Sequence, residues 1–307
     1  MDRRTFLWLG AGGLAAACLP APVTAAASDR LVLWPGSPPG GGGPVGPVQT
    51  NARGAISHIA EPVIEVFAPD HPNGTAMLIA AGGGYKRIER ATEALPAARW
   101  LNARGITAFV LDYRLPGEGW SAGALAPLQD AQRALRLIRA RAEAFSIRPD
   151  RVGVMGFSAG GHLLGLAATR ATFASYRAID AVDALSARPD MAALIYPVIT
   201  LLPPYQHTST RRVLVGDHPA QALAAEWSVQ THVTADSPPF FLVQAADDPI
   251  SNPYNTVLMK AACDQAGVAA ERLQLESGGH GFGMGAGAGG REWRARFASW
   301  LQRQHGV

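Results

Sequence analysis

Apolar residues in this chain gather into short runs, and the stretches between them carry a helical stripe instead. The runs at 76–80, 152–155 and 240–244 hold no charged residue, and those at 63–68, 106–112 and 192–196 hold at most one. Unbroken apolar strands of this length are expected where a parallel sheet is covered on both faces. A shorter candidate strand is 273–275. Helical patterns fall at 93–103, closed by Gly105, and at 162–168, 255–265 and 292–304. In the last, Trp293, Phe297, Trp300 and Leu301 mark the face to be buried. Another helix, 128–145, sets Leu128, Ala131, Leu135, Ile138 and Ala142 on one stripe, and its arginines read as a solvated face. This alternation predicts a doubly wound, mostly parallel sheet with helices on both faces. No internal repeat and no clear linker divides residues 28–307, so one domain is expected there. The Gly- and Pro-rich stretch 31–54, with Gly40-Gly41-Gly42-Gly43-Pro44, reads as an extended arm lying over that domain.

Composition agrees with a packed core. Of 307 residues, 48% are hydrophobic and 17% charged, which excludes a disordered chain. The formal charge is only +3, and no basic block is interleaved with aromatics, so no nucleic-acid partner is expected. Residues 1–27 have the features of an export signal. Arg3-Arg4-Thr5-Phe6-Leu7 is a twin-arginine start, and Ala25-Ala26-Ala27 offers a cleavage site before Ser28. The apolar stretch from Leu7 to Leu19 is about 13 residues, short of the roughly 20 that span a bilayer. The mature chain is therefore expected to be periplasmic or secreted, without a membrane span. An uncleaved anchor, or lipidation at Cys18, are the other readings of this segment. Removal of the signal leaves Cys263 as the lone cysteine, a helical core position with no disulfide partner. Metal-ligand spacings are missing, so no metal or cofactor is expected.

The chemistry centres on Ser158, in Gly156-Phe157-Ser158-Ala159-Gly160-Gly161, between the apolar run 152–155 and the helical stretch 162–168. A strand, a sharp turn and a helix present a serine hydroxyl in a strained, exposed position, and small neighbours let the two elements approach. The pentapeptide alone means little in a chain with 34 glycines, so its context carries the reading. A serine needs a base, and His280 in Gly278-Gly279-His280-Gly281-Phe282-Gly283 stands on a glycine loop after the last candidate strand. His162 competes, but one turn along the serine's own helix it is better placed to brace loops. The orienting acid comes from Asp247-Asp248-Pro249, after the strand 240–244. Asp248 is favoured, with Asp247 bracing the same loop. Bare amides for an oxyanion are expected from Gly83 and Gly84 in Ala81-Gly82-Gly83-Gly84-Tyr85, completed by the Ala159 N–H. The alternative, a phosphate cradle, lacks the Walker spacing. The order Ser158, Asp248, His280 is that of α/β-hydrolases.

Taken with Leu111-Asp112-Tyr113-Arg114-Leu115 and Asp130-Ala131-Gln132-Arg133-Ala134, these motifs span about residues 75 to 285. Over that length the chain resembles the exported α/β-hydrolase serine esterases of the acetylxylan-esterase-like group, related to the hormone-sensitive-lipase-like esterases. The resemblance implies hydrolysis of short acyl esters, typically acetyl groups on plant-wall polysaccharide such as xylan or its oligosaccharides. The substrate partner would then be a small-molecule or oligosaccharide ester. Departures are Ala81, where lipase-like relatives carry His, Gln244-Ala245, where His-Gly is common, and the polar Ile250-Ser251-Asn252 after the acid. Tyr85 is a candidate for contacting a sugar ring at the site mouth, and Trp120 a weaker one that serves equally well as core packing. No lid insertion suited to long acyl chains is evident. A general short-chain esterase or peptidase of the same fold, and a non-catalytic binding protein, are the competing expectations.

Overall fold

The computed structural model describes residues 30–205, 207–285 and 288–305. The export segment expected at 1–27 lies outside the described residues. Eight strands form one sheet: β1 (Arg30–Val32), β2 (Val63–Phe67), β3 (Ala76–Ala80), β4 (Thr107–Asp112), β5 (Val152–Phe157), β6 (Ala192–Ile195), β7 (Phe240–Ala245) and β8 (Ala270–Leu275). Their order is β1-β2-β4-β3-β5-β6-β7-β8. Strand β2 runs antiparallel to β1 (Arg30 opposite Glu65) and to β4 (Val63 opposite Asp112), and all later pairs are parallel. Among the described residues seven α-helices accompany them: α1 (Leu95–Asn102), α2 (Leu125–Ala140), α3 (Ser158–Thr169), α4 (Ser209–Val215), α5 (Gln221–Glu226), α6 (Tyr254–Gln265) and α7 (Ala288–His305). This is the α/β-hydrolase arrangement.

The continuous apolar runs explain the interior. Every residue of β3, β4, β5 and β7 is buried. The outer strand β8 is mostly half-exposed, and its Glu271 and Arg272 blunt an edge that could otherwise pair with another chain. The path from β3 to β4 moves one way along the sheet, whereas β4 to β5 crosses back over β3. Right-handed crossovers then put α1 on one face and α2, α3 and α6 on the other. Helix α7 joins α1, with Trp100 and Phe297 stacked at 5.5 Å between ring centres. The reversal leaves a crevice at the carboxyl ends of β3 and β5, the switch point where open α/β sheets bind ligands.

Two expectations change. The arm does not only lie over the domain: Arg30–Val32 supplies the edge strand, and Trp34 donates to the buried Asp130 carboxylate at 2.8 Å. The arginines of α2 are not a solvated face either. Arg133 is 2% exposed and bonds Asp180 at 2.6 Å, Asp183 at 3.0 Å and the Leu33 carbonyl at 2.9 Å. Arg139 reaches Asp190 at 2.9 Å. The segment following α3 covers this side of α2, and guanidinium groups tolerate the burial because carboxylates and carbonyls meet their N–H groups. Among the described residues no helix is long and apolar enough to cross a membrane.

Candidate active site

Ser158 is the first residue of α3, immediately after β5, with φ at +50°. That left-handed backbone costs a non-glycine residue about 1–2 kcal/mol, which the packing around the turn must hold in place. A side chain at Gly156 would meet the Gly160 carbonyl oxygen at 2.4 Å, and one at Gly160 would meet the Ala80 carbonyl oxygen at 2.1 Å. Strand, turn and neighbouring strand thus pass too close to admit a side chain at either glycine. The Ser158 Oγ lies 2.8 Å from His280 Nε2.

The opposite ring nitrogen, Nδ1, lies 2.7 Å from Asp248 Oδ2. With Nδ1 facing a carboxylate, it carries the hydrogen and leaves Nε2 free to accept from the serine. The Asp248 side chain is fully buried, yet four donors meet it: His280, Gln244 Nε2 at 2.8 Å, and the amides of Ile250 (2.8 Å) and Ser251 (2.9 Å). Such a shell satisfies the acceptor oxygens of a carboxylate that water does not reach. Asp247 is exposed and accepts from the Gly279 amide at 2.8 Å, bracing the histidine loop without touching the ring.

Ser158 and His280 open into a cleft of about 500 Å³ whose wall includes Gly83, Gly84, Ser209 and Ile250. Gly83 and Gly84 have φ of +119° and +64°, in a turn closed by the Lys86 amide on the Gly83 carbonyl. The loop is pinned at its start, where Gly82 donates to Glu93 at 2.6 Å and Tyr113 O–H donates to the Ala81 carbonyl at 2.8 Å. The Ala159 amide is in the first turn of α3, where helix N–H groups have no intrahelical acceptor. Gly83 and Gly84 of the glycine turn line the same cleft as Ser158, the first residue of α3.

Residues 64–262, more than half of the chain, match the family described as BD-FAE. The chain belongs to the BD-FAE family. It is 32% identical over 223 residues to an acetylxylan esterase of Xylanibacter ruminicola, covering 71% of this chain and 43% of that one. It is also 32% identical over 205 residues to endo-1,4-beta-xylanase B of Butyrivibrio fibrisolvens, covering 67% and 32%. The chain thus spans less than half the length of these curated relatives. Among solved structures, an acetyl ester-xyloside bifunctional hydrolase of Caldicellulosiruptor lactoaceticus superposes with a TM-score of 0.74 at 30% identity, covering 90% of this chain and 96% of that one. The chain is an acetylxylan-esterase-like α/β-hydrolase.

In this BD-FAE chain the expectation for Tyr85 needs correction. Its ring is 2% exposed, turned inward, edge-on to Tyr113 and His162, with its hydroxyl 3.0 Å from His162 Nδ1. Tyr85 itself has a left-handed backbone, with φ of +59°, directly after Gly84. Trp120 is buried as well, 5.1 Å from the Arg114 guanidinium. His162 is fully buried, and burial lowers its pKa to about 4. Its Nε2 faces the Trp227 carbonyl at 2.7 Å, so it braces loops as a neutral ring. Gln244, a departure from the pattern of the group, has a structural part: its amide holds Asp248 and the Ser251 carbonyl (3.0 Å) together. The polar Ser251 serves the acid through its backbone amide, so its side-chain type carries no signal about Asp248. Glu93 was missed altogether. It is 4% exposed, lines the cleft, and burial raises its pKa to about 7.

Proposed function

We propose that the protein is a serine carboxylesterase that removes short acyl groups, chiefly acetyl, from xylan or xylo-oligosaccharides. The observation that carries this reading is the unbroken run Asp248–His280–Ser158 at 2.7 and 2.8 Å, opening into the glycine-walled cleft. In the reaction, Ser158 Oγ attacks the acyl carbonyl carbon while His280 Nε2 takes the hydroxyl proton. Asp248 stabilises the imidazolium that results. The carbonyl electrons collect on oxygen, which receives the amides of Gly83, Gly84 and Ala159. Each such donor is worth about 2.7–4 kcal/mol in the transition state. Collapse of the intermediate breaks the bond to the sugar oxygen, and His280 returns its proton to that leaving alcohol. Water, deprotonated by the same histidine, then releases acetate and restores Ser158.

Support for the polar substrate comes from the cleft wall. Among the described residues it carries no aromatic side chain apart from the histidine ring, and Thr208, Ser209, Thr210, Lys86 and Arg53 line it instead. The acetylxylan esterase and the xyloside hydrolase among its relatives point the same way. Acetate release from acetylated xylan and xylo-oligosaccharides, set beside 4-nitrophenyl acetate and longer acyl esters, tests the reading. Preference for acetylated sugar is expected. Equal turnover of all short esters would leave a general short-chain esterase, and no turnover together with no fluorophosphonate labelling of Ser158 would leave a binding protein.

A further inference from the structure

Glu93 has no part in the steps above, yet its position is costly. It sits in the π-helical turn Arg90–Ala94 at the entrance to α1, a backbone form that is rare and concentrates at functional sites. Each carboxylate oxygen has its own donor. Oε2 takes the Gly82 amide at 2.6 Å, and Oε1 takes the Tyr196 hydroxyl at 2.9 Å. Gly82 opens the turn that carries Gly83 and Gly84. The Tyr196 oxygen accepts in turn from the Gly283 amide at 3.0 Å, on the loop that carries His280. The Tyr196 ring, buried just beyond β6, lies edge-on to His280 at 5.0 Å and to Phe282 at 4.5 Å. One continuous path, Gly82–Glu93–Tyr196–Gly283, therefore joins the glycine turn to the histidine loop without passing through Ser158 Oγ.

The path suits a carboxylate and not a carboxylic acid. Both neighbours donate, and the Tyr196 oxygen already accepts a hydrogen. An added proton on Glu93 would face a donor on either oxygen, unless Tyr196 turned its own hydrogen away. An amide in place of Glu93 would have the same fault, because its NH₂ group would oppose one of the two donors.

We propose that Glu93 is a positioning residue: as a carboxylate it holds the oxyanion turn and the histidine loop in one fixed relation, so that the Gly83 and Gly84 amides and His280 Nε2 meet the same ester carbonyl. This rests on the esterase reading. Displacing either loop by about an ångström costs up to about 10²-fold in rate while leaving ground-state binding nearly unchanged.

The ionisable groups facing Glu93 are Glu89, whose charge disfavours a second carboxylate, His280, which favours it, and the phenols of Tyr196 and Tyr113. Burial is the largest influence and sets its pKa to about 7, above the ordinary 4.5. Between these two values the folded state binds a proton that the unfolded chain has released. Stability therefore falls as pH rises through this window, while the alignment of the two loops improves.

The test compares the wild-type protein with Glu93→Gln, Tyr196→Phe and the double variant on 4-nitrophenyl acetate. Glu93→Gln is expected to lower kcat about 10²-fold with KM within about twofold, and Tyr196→Phe about tenfold. The double variant should be no worse than Glu93→Gln alone, since both cut one path. The acid limb of wild-type kcat/KM should carry two ionisations, and that of Glu93→Gln one. Denaturant unfolding should show the wild type losing stability relative to Glu93→Gln as pH rises from about 4.5 to about 7. Multiplicative losses in the double variant, or full activity in Glu93→Gln, overturn the proposal. If Glu93→Gln does not fold, a single ionisation on the wild-type acid limb and an unaffected Tyr196→Phe overturn it instead. A wild-type protein that is inert to esters and to fluorophosphonate removes the esterase reading, a distinct outcome that takes this proposal with it.

Discussion

The nucleophile and its base are held by different means. Ser158 comes off the centre of the sheet, where β5 lies between β3 and β6 and the backbones of Gly156, Gly160 and Ala80 touch. His280 comes off a loop beyond the edge strand β8, with glycines on both sides and open space around Gly279 and Gly281. That loop is fastened by individual hydrogen bonds: Asp247 to Gly279, Asp248 to the ring, Tyr196 to Gly283. One half of the site is thus set by steric contact of main chain, the other by side-chain bonds worth about 1 kcal/mol each. The close-packed half cannot drift, and the tethered half can be tuned or loosened without unfolding the sheet.

Substitutions test this contrast, beginning with the chemistry itself. Ser158→Ala is expected to lower kcat about 10⁶-fold with an unchanged denaturation midpoint, because the hydroxyl packs against nothing the fold needs. Turnover within tenfold of wild type would remove Ser158 from the reaction. On the tethered side, Asp248→Asn should cost about 10⁴ in kcat, and Asp247→Ala no more than about tenfold, since the latter loosens the loop but leaves the tautomer intact. The reverse ranking reassigns the acid. Stability separates the halves next. Gly160→Ala drives a methyl into the Ala80 carbonyl at 2.1 Å and should destabilise by about 3 kcal/mol or more. Gly279→Ala has φ of +61° but free space, and should cost about 1–2 kcal/mol in urea unfolding. Equal losses at the two glycines would erase the distinction. The smallest effect is expected at Tyr85→Phe: about 1 kcal/mol of stability from the lost bond to His162, with KM for acetylated xylo-oligosaccharide unchanged. A KM rise confined to sugar esters would return Tyr85 to the substrate path.

Strands that are buried on both faces announced themselves along the chain. The runs at 76–80, 106–112 and 240–244 match β3, β4 and β7 to within a residue because burial on both faces keeps them almost wholly apolar. The edges were harder to read. Strand β8 begins at Ala270, three residues before its apolar run, since an edge strand exposes Glu271 and Arg272. The opening strand Arg30–Val32 was read as arm, because three residues of edge pairing leave no period to detect. Helices α4 and α5, of seven and six residues, are likewise too short to show a stripe. In the site, Ser158, His280 and the acidic pair stood in recognisable turns. Gln244 and Glu93 did not: the first is a single polar residue in a buried strand and the second one of several polar residues in a short, partly exposed turn, and neither has a motif around it.

The sequence alone determined the strand and helix alternation, the glycine-framed serine turn and the order Ser158, Asp248, His280, because these depend on local backbone preference and on burial patterns a few residues long. Only the tertiary structure decided that Asp248 rather than Asp247 meets the ring, that Tyr85 and the α2 arginines turn inward, and that Glu93 links two loops. These outcomes depend on which groups find partners at separations from 11 residues for Gly82 and Glu93 to 103 for Glu93 and Tyr196, and a hydrogen bond across such a separation leaves no trace in the spacing of the residues that make it.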